Sequence, residues 1–247
     1  MIPIKTLQEI EIMAKGGKIL ARIMGELKAK SGPGITTKEL DKLAEKLIFS
    51  YGTKPAFKGY NNFPAVLCIS VNEQIVHGVP SDRVLLEGDV LSLDLGIVYE
   101  GLCLDMAITM PIGGISPEAG RLIRTVKKAL KRAIARVKPG KTIGDIGHAI
   151  QNYIEDQDFQ VIKELCGHGI GKSVHEKPDV LNFGRRHKGL KLEPGMVLAI
   201  EPMAVMGKPG IKKGPDGFCY QTADNSLSAQ FEHTVAVTEK GPRVLTE

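Results

Sequence analysis

Apolar residues along the chain recur every three to four positions in four stretches, which form two successive pairs. The stretches cover residues 7–30 and 32–50 in the first pair, and 117–137 and 138–156 in the second. This spacing is typical of helices that bury one face. The second stretch of each pair opens with Pro-Gly and a threonine, Thr36 or Thr142, with an acidic residue three positions later. That order predicts a capped helix start at each threonine.

Runs of β-prone residues follow each helix pair. The six candidate strands cover residues 65–71, 90–98, 102–110, 161–166, 197–201 and 231–238. Helices that are separated in sequence from hairpin-rich stretches favour an α+β fold with an antiparallel sheet, and they argue against alternating βαβ units.

Two matching segments indicate that the chain consists of similar halves. The sequence GPGITTKEL corresponds to KPGKTIGDI about 106 residues later, and EGDVLSLD corresponds to PGMVLAIE at an offset of 107. Two matches at nearly one offset suggest duplication and an internal pseudo-twofold symmetry. We therefore expect one domain over residues 1–247, with halves at approximately 1–115 and 116–247.

Composition places the chain among ordinary globular proteins, with 43% hydrophobic and 25% charged residues. No apolar run has the length of a membrane span, and the first residues lack a secretory pattern. The four cysteines form no CxxC pair, so reduced thiols in a cytoplasmic protein are expected. The net charge of +5 is mild. The basic stretch RRHKGLK, residues 185–191, could contact phosphate, although a solvated loop is the favoured interpretation.

Two aspartates lie in neighbouring β-prone runs, Asp94 in VLSLDLG and Asp105 in LCLDMAI. A hairpin centred on Tyr99 and Glu100 would place them directly opposite each other on one face. Two carboxylates among leucines would repel and lose hydration, and a divalent cation would remove that conflict. Taken alone, the pair is explained better by a register slip that exposes one aspartate, or by a shared proton.

The second half supplies two more carboxylates at corresponding places. Glu201 ends the apolar run MVLAIE, at the position equivalent to Asp94, and Glu232 in AQFEHTVAV is the counterpart of Asp105. A glutamate that ends an apolar strand is unexpected unless it is paired or ligated. His168, in CGHGIG, adds a nitrogen ligand. The glycines around it could also mimic a phosphate loop, but no helix follows and the lysine is misplaced.

Four carboxylates carry the charge that two divalent ions neutralise. Oxygen-rich ligation with one imidazole suits Mn, Fe, Co or Zn better than Mg or Ca. A two-metal site of this kind hydrolyses an amide or a phosphate ester.

Two further histidines stand near turn signals, His77 in VHGVP and His175 in SVHEKP. Lone histidines are more often structural or solvated, but both lie close in sequence to candidate ligands, which favours contact with substrate. His148 and His187 are expected to be incidental. His233 should point to the opposite face of its strand from Glu232.

The ordered set of Asp94, Asp105, His168, Glu201 and Glu232, within LSLDLG, CLDMAIT, CGHGIG, IEPM and AQFEHT, resembles the metal site of the methionine aminopeptidase and proline-peptidase superfamily. The phrases GYNNFPAVLCISVNEQIVHGVP and CGHGIGKSVHEKP resemble the type I methionine aminopeptidases, and the likeness covers nearly the whole chain. The resemblance implies the α+β "pita-bread" fold. It also implies a hydrolase that releases the initiator methionine from nascent proteins with a small second residue.

The resemblance assigns roles to individual residues. Asp94 would chelate one metal ion, Asp105 and Glu232 would bridge both, and His168 and Glu201 would complete the other. Glu201 would also carry a proton from water to the leaving amine. His77 and His175 would hydrogen-bond the scissile peptide. The methionine pocket would be lined by Phe57, Tyr60, Phe63, Cys68 and Phe218, although ordinary core packing remains an alternative for Phe57 and Phe218.

Two departures from the family pattern stand out. Many relatives carry a small hydroxyl residue after the second aspartate, where this chain has Met106 and Ala107, and that difference could alter the hydrogen bonding behind the ligands. Val174 precedes His175 where a larger side chain is familiar, so we expect a roomier pocket rim.

Three other interpretations share parts of this pattern. Proline-specific peptidases have the same five ligands but usually carry a large additional amino-terminal domain. Type II methionine aminopeptidases carry an insertion for which the 31-residue spacing from Glu201 to Glu232 leaves little space. A catalytically inactive pita-bread protein would serve as a binding module, and such proteins typically lose ligands. The favoured interpretation is a monomer that acts on peptide and nascent-chain N-termini, with no specific nucleic acid and no membrane as partner. Contact with the ribosome stays open.

Overall fold

The computed structural model describes residues 2–247, in which four α-helices form the two expected pairs. They are α1 (Leu7–Lys30), α2 (Thr37–Ser50), α3 (Pro117–Ile134) and α4 (Ile143–Glu155). The predicted threonine caps are present, because Thr36 and Thr142 each exchange two hydrogen bonds with the acidic residue three positions on. None of the helices between residues 2 and 247 combines the length and the apolar character that a bilayer crossing requires.

Fifteen strands and one short 3₁₀-helix (Tyr60–Asn62) complete the secondary structure of residues 2–247. The strands are β1 (Lys54–Pro55), β2 (Leu67–Val71), β3 (Gln74–Val76), β4 (Val90–Tyr99), β5 (Leu102–Pro111), β6 (Gln160–Val161), β7 (Cys166–Gly169), β8 (Glu176–Leu181), β9 (Val197–Ile200), β10 (Met203–Val205), β11 (Ile211–Lys213), β12 (Tyr220–Thr222), β13 (Ser228–Gln230), β14 (Glu232–Thr238) and β15 (Gly241–Val244).

The main sheet joins the two halves of the chain. Its path runs β1-β4-β5-β14-β9-β7-β8, and β2 and β15 also pair with β4 and β14. The central contact is β5 against β14, where Ala107 pairs with Glu232. A pseudo-twofold rotation about this contact, which exchanges the two halves, places β4 on β9. The antiparallel α+β fold and its internal pseudo-twofold symmetry are therefore as predicted.

The hairpin of β4 and β5 differs in register from the prediction. Its turn is centred on Glu100 and Gly101, whose φ angles of 46° and 80° are both positive, and a tight turn of this kind favours glycine at its second position. Asp94 therefore pairs with Ala107, and Gly96 pairs with Asp105. The expected centre at Tyr99 and Glu100 was wrong. Because the observed pairing differs from the expected one by two positions, each side chain keeps its face of the sheet. Asp94 and Asp105 stay on one face as diagonal neighbours.

The predicted strand over residues 161–166 is divided in two. β6 pairs with β10, and β7 belongs to the main sheet between β8 and β9. Lys163 and Glu164 lie exposed between them, so the polar pair interrupts the apolar run. The other five predicted strands are present, with ends within two residues of those expected.

Each helix pair covers one half of the sheet with an apolar core. Leu91, Leu93 and Leu95 of β4 are buried in the cluster that contains α1 and α2. Leu198 and Ile200 of β9 are buried in the cluster that contains α3 and α4. Successive side chains of a strand alternate between faces. The positions between these residues, including Asp94, therefore point away from the helices.

Candidate metal centre and active site

One cavity of about 310 Å³ is lined by all twelve residues that the sequence singled out. They are Phe57, Tyr60, Phe63, Cys68, His77, Asp94, Asp105, His168, His175, Glu201, Phe218 and Glu232. These residues come from widely separated parts of the chain, and the antiparallel sheet brings them together. His148 and His187, which were expected to be incidental, do not line it, and neither does His233, which was expected behind the ligands or in the core.

The main sheet positions the four carboxylates. Asp94 and Asp105 lie on β4 and β5, Glu232 begins β14, and Glu201 directly follows β9. The pseudo-twofold contact between β5 and β14 places the two pairs side by side. All four residues are buried.

His168 lies on β7, where its neighbouring glycines have a packing role. A Cβ atom at Gly167 would overlap the carbonyl oxygen of Ala199, and one at Gly169 would overlap that of Lys177. The glycines let β7 approach β8 and β9 closely, which accounts for the Gly-rich motif without a phosphate loop. The His168 side chain is buried, and its Nδ1 lies 2.9 Å from the Gly169 carbonyl oxygen.

The carboxylates lack the hydrogen bonds that buried charges need. Asp94 Oδ1, Asp105 Oδ1 and Glu232 Oε1 have no partner within the described chain. Burial raises the pKa of Asp94 to about 7. Burial, and then the neighbouring carboxylates, raise the pKa values of Asp105, Glu201 and Glu232 well above their usual ranges. Four ionised carboxylates are therefore unfavourable here unless cations accompany them.

Ligand atoms of these residues form two compact groups. Asp105, His168 and Glu232 place ligand atoms within 4.8 Å of one another, and Asp94, Glu201 and Glu232 do the same. Glu232 belongs to both groups. Glu201 falls with Asp94 in this arrangement, whereas the family resemblance places it with His168.

The donor set fits divalent metal ions. Buried, unpartnered carboxylate oxygens are the groups that a cation would satisfy, and the imidazole must be neutral to ligate. Burial lowers the pKa of His168 to about 3, with a further contribution from His175, so the ring is neutral at physiological pH. The cluster therefore has the composition of a divalent metal centre.

His77 and His175 lie at the cavity beside the carboxylates. The His175 ring packs edge-on against His168 with centroids 4.2 Å apart, and its Nδ1 lies 3.0 Å from the Tyr60 hydroxyl oxygen. His77 packs against Tyr220 and has a positive φ of 58°. Burial lowers its pKa to about 4, and His175 contributes next. His77 can therefore act as a neutral hydrogen-bonding group.

An apolar wall faces the carboxylates. Phe63 and Phe218 meet edge to face with centroids 5.6 Å apart. Phe57 packs against the backbone of β4, where a Cβ atom at Gly96 would lie 2.5 Å from its ring. Cys68 pairs with Asp94 across β2 and β4. The wall thus consists of aromatic and thiol groups, which suit a thioether side chain.

Two residues that support the ligands were not predicted. Gln230 is fully buried and donates from Nε2 to Glu201 Oε1 at 2.5 Å. Thr234 accepts a hydrogen bond from the Asp105 amide and donates one to the Asp105 carbonyl oxygen. Thr234 thus supplies a hydroxyl group near Asp105, while Met106 and Ala107 carry none. Gln230 and Thr234 each lie two positions from Glu232 in the sequence, and this proximity was the signal that could have identified them.

The rim also contains residues that the sequence did not indicate. They are Asn61, Val76, Glu164, Leu165, Cys166 and Met203. Most of them adjoin a predicted site residue in sequence, so proximity to a motif was the signal that could have identified them. Val174 was noted for its small size, and it is buried.

An ion pair supports the loop that carries His175. Glu176 Oε1 accepts hydrogen bonds from the amides of Lys172 and Ser173, and its Oε2 accepts one from Lys5 Nζ at 2.6 Å. The side chains of Lys5 and Glu176 are only 5% and 11% exposed. A segment before α1 is thus connected to the active-site loop.

Comparison with known proteins agrees with this geometry. The model of metallopeptidase family M24 matches residues 11–239. Methionine aminopeptidase 1 of Bacillus subtilis is 44% identical over 246 residues, which cover 100% of this chain and 99% of that protein. The crystal structure of methionine aminopeptidase from Thermotoga maritima has a TM-score of 0.98 at 41% identity, with full coverage of both chains. The prolidase of Pyrococcus horikoshii has a TM-score of 0.81 at 25% identity, over 99% of this chain and 63% of that one.

The fold and the buried carboxylate cluster define a divalent-metal hydrolase of the pita-bread class. The chain belongs to metallopeptidase family M24, and within that family it groups with the methionine aminopeptidases.

Proposed function

We propose that this enzyme removes the initiator methionine from newly made proteins whose second residue is small. The observation that carries the proposal is the single cavity, in which a carboxylate-imidazole cluster faces an apolar wall. The cluster provides hydrolytic chemistry, and the wall provides a place for the first side chain. We further propose that residues 1–247 form one catalytic domain and that the enzyme works as a cytoplasmic monomer.

Two divalent ions, of Mn, Fe, Co or Zn, would be held by Asp94, Asp105, His168, Glu201 and Glu232. Glu232 would serve both ions, since it belongs to both ligand groups. Asp105 would serve both ions as well, because it lies diagonally beside Asp94 in the hairpin of β4 and β5. When bound, such ions lower the pKa of a water molecule and polarise the scissile carbonyl group.

Glu201 is the proposed proton carrier. It accepts a proton from the attacking water and passes it to the leaving amine. The hydrogen bond from Gln230 fixes the orientation of its carboxyl group.

His77 and His175 orient the scissile peptide. Both lie beside the cluster, and a neutral imidazole can donate to a carbonyl oxygen as charge develops on it. The contact between His175 Nδ1 and the Tyr60 hydroxyl leaves Nε2 free to face the substrate.

Phe57, Tyr60, Phe63, Cys68 and Phe218 would surround the methionine side chain. A pocket of this kind selects by shape and polarity. An unbranched thioether fits it, while a charged or β-branched side chain does not. The second residue must pass between the cluster and the two histidines, so a bulky side chain there would be excluded.

Two alternatives predict other behaviour. A proline peptidase would share the cluster, but it would cut before proline with little regard for the first side chain. An inactive binding module would not turn over peptides, yet all five ligand positions here are occupied by metal-binding residue types.

A panel of short peptides tests the proposal. The enzyme, loaded with Mn²⁺ or Co²⁺, should cleave Met-Ala-Ser far faster than Met-Lys-Ser or Met-Phe-Ser, and it should accept norleucine in place of methionine. One methylene group in an apolar pocket is worth only about 1–3 kcal/mol. If Ala-Pro or Arg-Pro peptides are better substrates than Met-Ala-Ser, the assignment to methionine is wrong although the metal chemistry stands.

A further inference from the structure

The contact between β5 and β14 joins the two halves of the main sheet, and its backbone ladder is short. Ala107 pairs with Glu232 and Met106 pairs with His233, whereas β4 and β5 pair along ten residues. Both strands continue beyond this ladder, and their residues on the side of the site stay buried. Buried backbone amide and carbonyl groups need hydrogen-bond partners, so other groups must hold the strands together there.

Two threonine hydroxyl groups supply these partners. Thr234 Oγ1 accepts a hydrogen bond from the Asp105 amide at 3.0 Å and donates one to the Asp105 carbonyl oxygen at 2.8 Å. On the other side of the ladder, Thr109 Oγ1 accepts a hydrogen bond from the Gln230 amide at 2.9 Å. It also donates one to the Gln230 carbonyl oxygen at 2.5 Å. We call Thr109 and Thr234 the seam threonines.

The seam threonines are related by the pseudo-twofold axis. The rotation that exchanges Ala107 with Glu232 also exchanges the seam threonines, since each lies two positions further along its strand. Asp105 and Gln230, which lie two positions earlier, exchange likewise. The structural counterpart of Asp105 is therefore Gln230, whereas the sequence had suggested Glu232. Equivalent hydroxyl groups thus hold a carboxylate residue in one half and a neutral amide residue in the other.

The two residues that the seam threonines hold act on different parts of the site. Asp105 belongs to one of the two candidate ligand groups. Gln230 belongs to neither, but its Nε2 donates to Glu201 Oε1 at 2.5 Å. The Gln230 Oε1 atom is buried and has no hydrogen-bond partner within the described chain. The direction of this side chain therefore depends on its backbone, which Thr109 holds.

The surroundings of the seam threonines keep both of them in place. The Ser92 hydroxyl lies 2.7 Å from Thr109 Oγ1, and Ser92 is the donor, because the Thr109 proton is given to Gln230. Thr109 Oγ1 therefore donates one hydrogen bond and accepts two, which is its full capacity. The Thr234 amide donates to Thr246 Oγ1 at 3.2 Å. Movement of either hydroxyl group would leave buried polar groups unpaired, which is costly.

We propose that the seam threonines are positioning residues with separate tasks. Thr234 holds Asp105 and so sets the affinity of the cluster for metal. Thr109 holds Gln230 and so sets the direction of the Glu201 carboxyl group for proton transfer. The task of Thr109 rests on the proposed role of Glu201 as proton carrier, whereas the task of Thr234 does not.

The test replaces each seam threonine by valine, which has a similar shape and no hydroxyl group. Binding of Mn²⁺ to the metal-free enzyme, measured by isothermal titration calorimetry, should weaken about 10- to 100-fold in Thr234→Val. In Thr109→Val it should stay within about threefold of the wild type, because Glu201 Oε2 remains free to ligate. With saturating Mn²⁺, Thr109→Val should lose about tenfold or more in kcat for Met-Ala-Ser, while KM stays within about twofold.

A double-mutant cycle shows whether Thr109 acts through Glu201. In the Glu201→Gln background no proton can be carried, so Thr109→Val should lower kcat by less than about twofold. A loss in that background as large as in the wild type would overturn the task assigned to Thr109. An unchanged Mn²⁺ affinity in Thr234→Val, or an equal loss of affinity in both valine variants, would overturn the task assigned to Thr234.

Thr238→Val is the matched control. Thr238 ends β14, and its hydroxyl group also donates to a backbone carbonyl oxygen, that of Gly241, and accepts from an amide, that of Lys240. It lies in the turn to β15, so the variant should keep wild-type Mn²⁺ affinity and kcat.

Serine variants separate the hydroxyl group from the rest of the side chain. Thr109→Ser and Thr234→Ser retain the hydroxyl group and should stay within a few-fold of the wild type in kcat and Mn²⁺ affinity. Serine variants that are as impaired as the valine variants would overturn the inference. If circular dichroism shows that Thr234→Val is unfolded, Thr234→Ala is measured in its place.

Failure of the proposed function would have a different signature. If the wild type does not cleave Met-Ala-Ser, or if Glu201→Gln keeps a normal kcat, the proton-carrier role is wrong and the task of Thr109 is refuted with it. The Mn²⁺ titrations of the Thr234 variants use no substrate. They therefore test the task of Thr234 whatever the substrate proves to be.

Discussion

Glu201 combines the properties that a proton carrier needs. It is buried beside the carboxylate cluster, and Gln230 Nε2 holds its Oε1 at 2.5 Å. A carboxyl group held in this way can exchange a proton with the attacking water while its orientation stays fixed. Ligation and proton transfer should therefore be separable by an isosteric substitution.

The variant Glu201→Gln should keep an oxygen atom that can ligate metal but lose the carboxyl group that accepts and releases a proton. We expect kcat to fall by about 10²- to 10⁴-fold, with metal content unchanged by elemental analysis. Glu164→Gln is the matched control, since Glu164 lines the same cavity and lies exposed at its rim, and it should stay within a few-fold of the wild type. A loss of only a few-fold in the Glu201 variant, with full metal content, would rule out the proton-carrier role.

His77→Ala should lower kcat and leave metal binding intact. His77 lines the cavity but belongs to neither ligand group, so its removal takes away a hydrogen bond to the substrate and no ligand. Loss of one such donor typically costs about 10²- to 10³-fold in kcat. His148→Ala, a half-buried histidine outside the cavity, is the control. Loss of metal from the His77 variant would show that His77 is itself a ligand.

The residues that the sequence revealed and those that it did not differ in chemistry. A carboxylate among leucines, as at Asp94, is conspicuous because burial of its charge is costly. Gln230 and Thr234 are neutral, and such residues are common in any strand. Their roles depend on which atoms face Glu201 and Asp105, and only the three-dimensional arrangement of β5, β13 and β14 determines that.

The element that carries His175 is the tight connection from β7 to β8. Glu176 joins the loop amides to Lys5, which lies before α1. A Cβ atom at Gly171 would overlap the Lys5 side chain, so the lysine lies directly over the loop. The position of His175 therefore depends on a segment that is distant in sequence.

Lys5→Met should disturb this loop. An almost buried Glu176 would lose its cation, and we expect the free energy of unfolding to fall by about 2–4 kcal/mol. We also expect kcat to fall more than KM rises, because His175 would be misplaced while the methionine pocket remains. Lys172→Met, in the same loop but exposed, should change neither quantity appreciably. A Lys5 variant with normal kcat and reduced stability would limit the ion pair to a structural role.

Strand register was the least predictable feature at the scale of elements. The capped helices and five of the six strands followed from periodicity, because each depends on local sequence. The centre of the hairpin is set by the left-handed turn at Glu100 and Gly101. The sequence alone did not distinguish this turn from one centred on Tyr99 and Glu100. The small sheet of β3, β11 and β12 gave no usable signal, since each strand has only three residues. It is this sheet that carries the chain past Phe218 to the cavity.

At the scale of the whole molecule, the duplication explains where the site lies. Each half contributes two carboxylates, and the contact of β5 with β14 brings the pairs together at the pseudo-twofold axis. A site built from both halves cannot form in either half alone.

Removal of metal should make stability depend on pH in a defined direction. Burial raises the pKa of Asp94 to about 7, so in the metal-free protein this group binds more protons than it does in the unfolded chain. The stability that the raised pKa reflects is present below the unfolded pKa and is lost as pH rises through the folded value. His77 and His168, with pKa values lowered to about 4 and 3, act in the opposite sense, but only below the ordinary histidine value of 6.5.

The informative window therefore runs from about pH 6.5 to 8, where the carboxylates act alone. In excess chelator, the Tm measured by scanning calorimetry should fall across this window by about 2–4 °C for each such group, since one proton per pH unit corresponds to about 1.4 kcal/mol. With Mn²⁺ in excess the ionised carboxylates become ligands, and Tm should hold steady or rise. Asp94→Asn is the control, because it removes one titrating group and should flatten the metal-free profile. A metal-free Tm that stays flat across this window would show that the cluster is already ionised, and the argument for a cation from burial alone would fail.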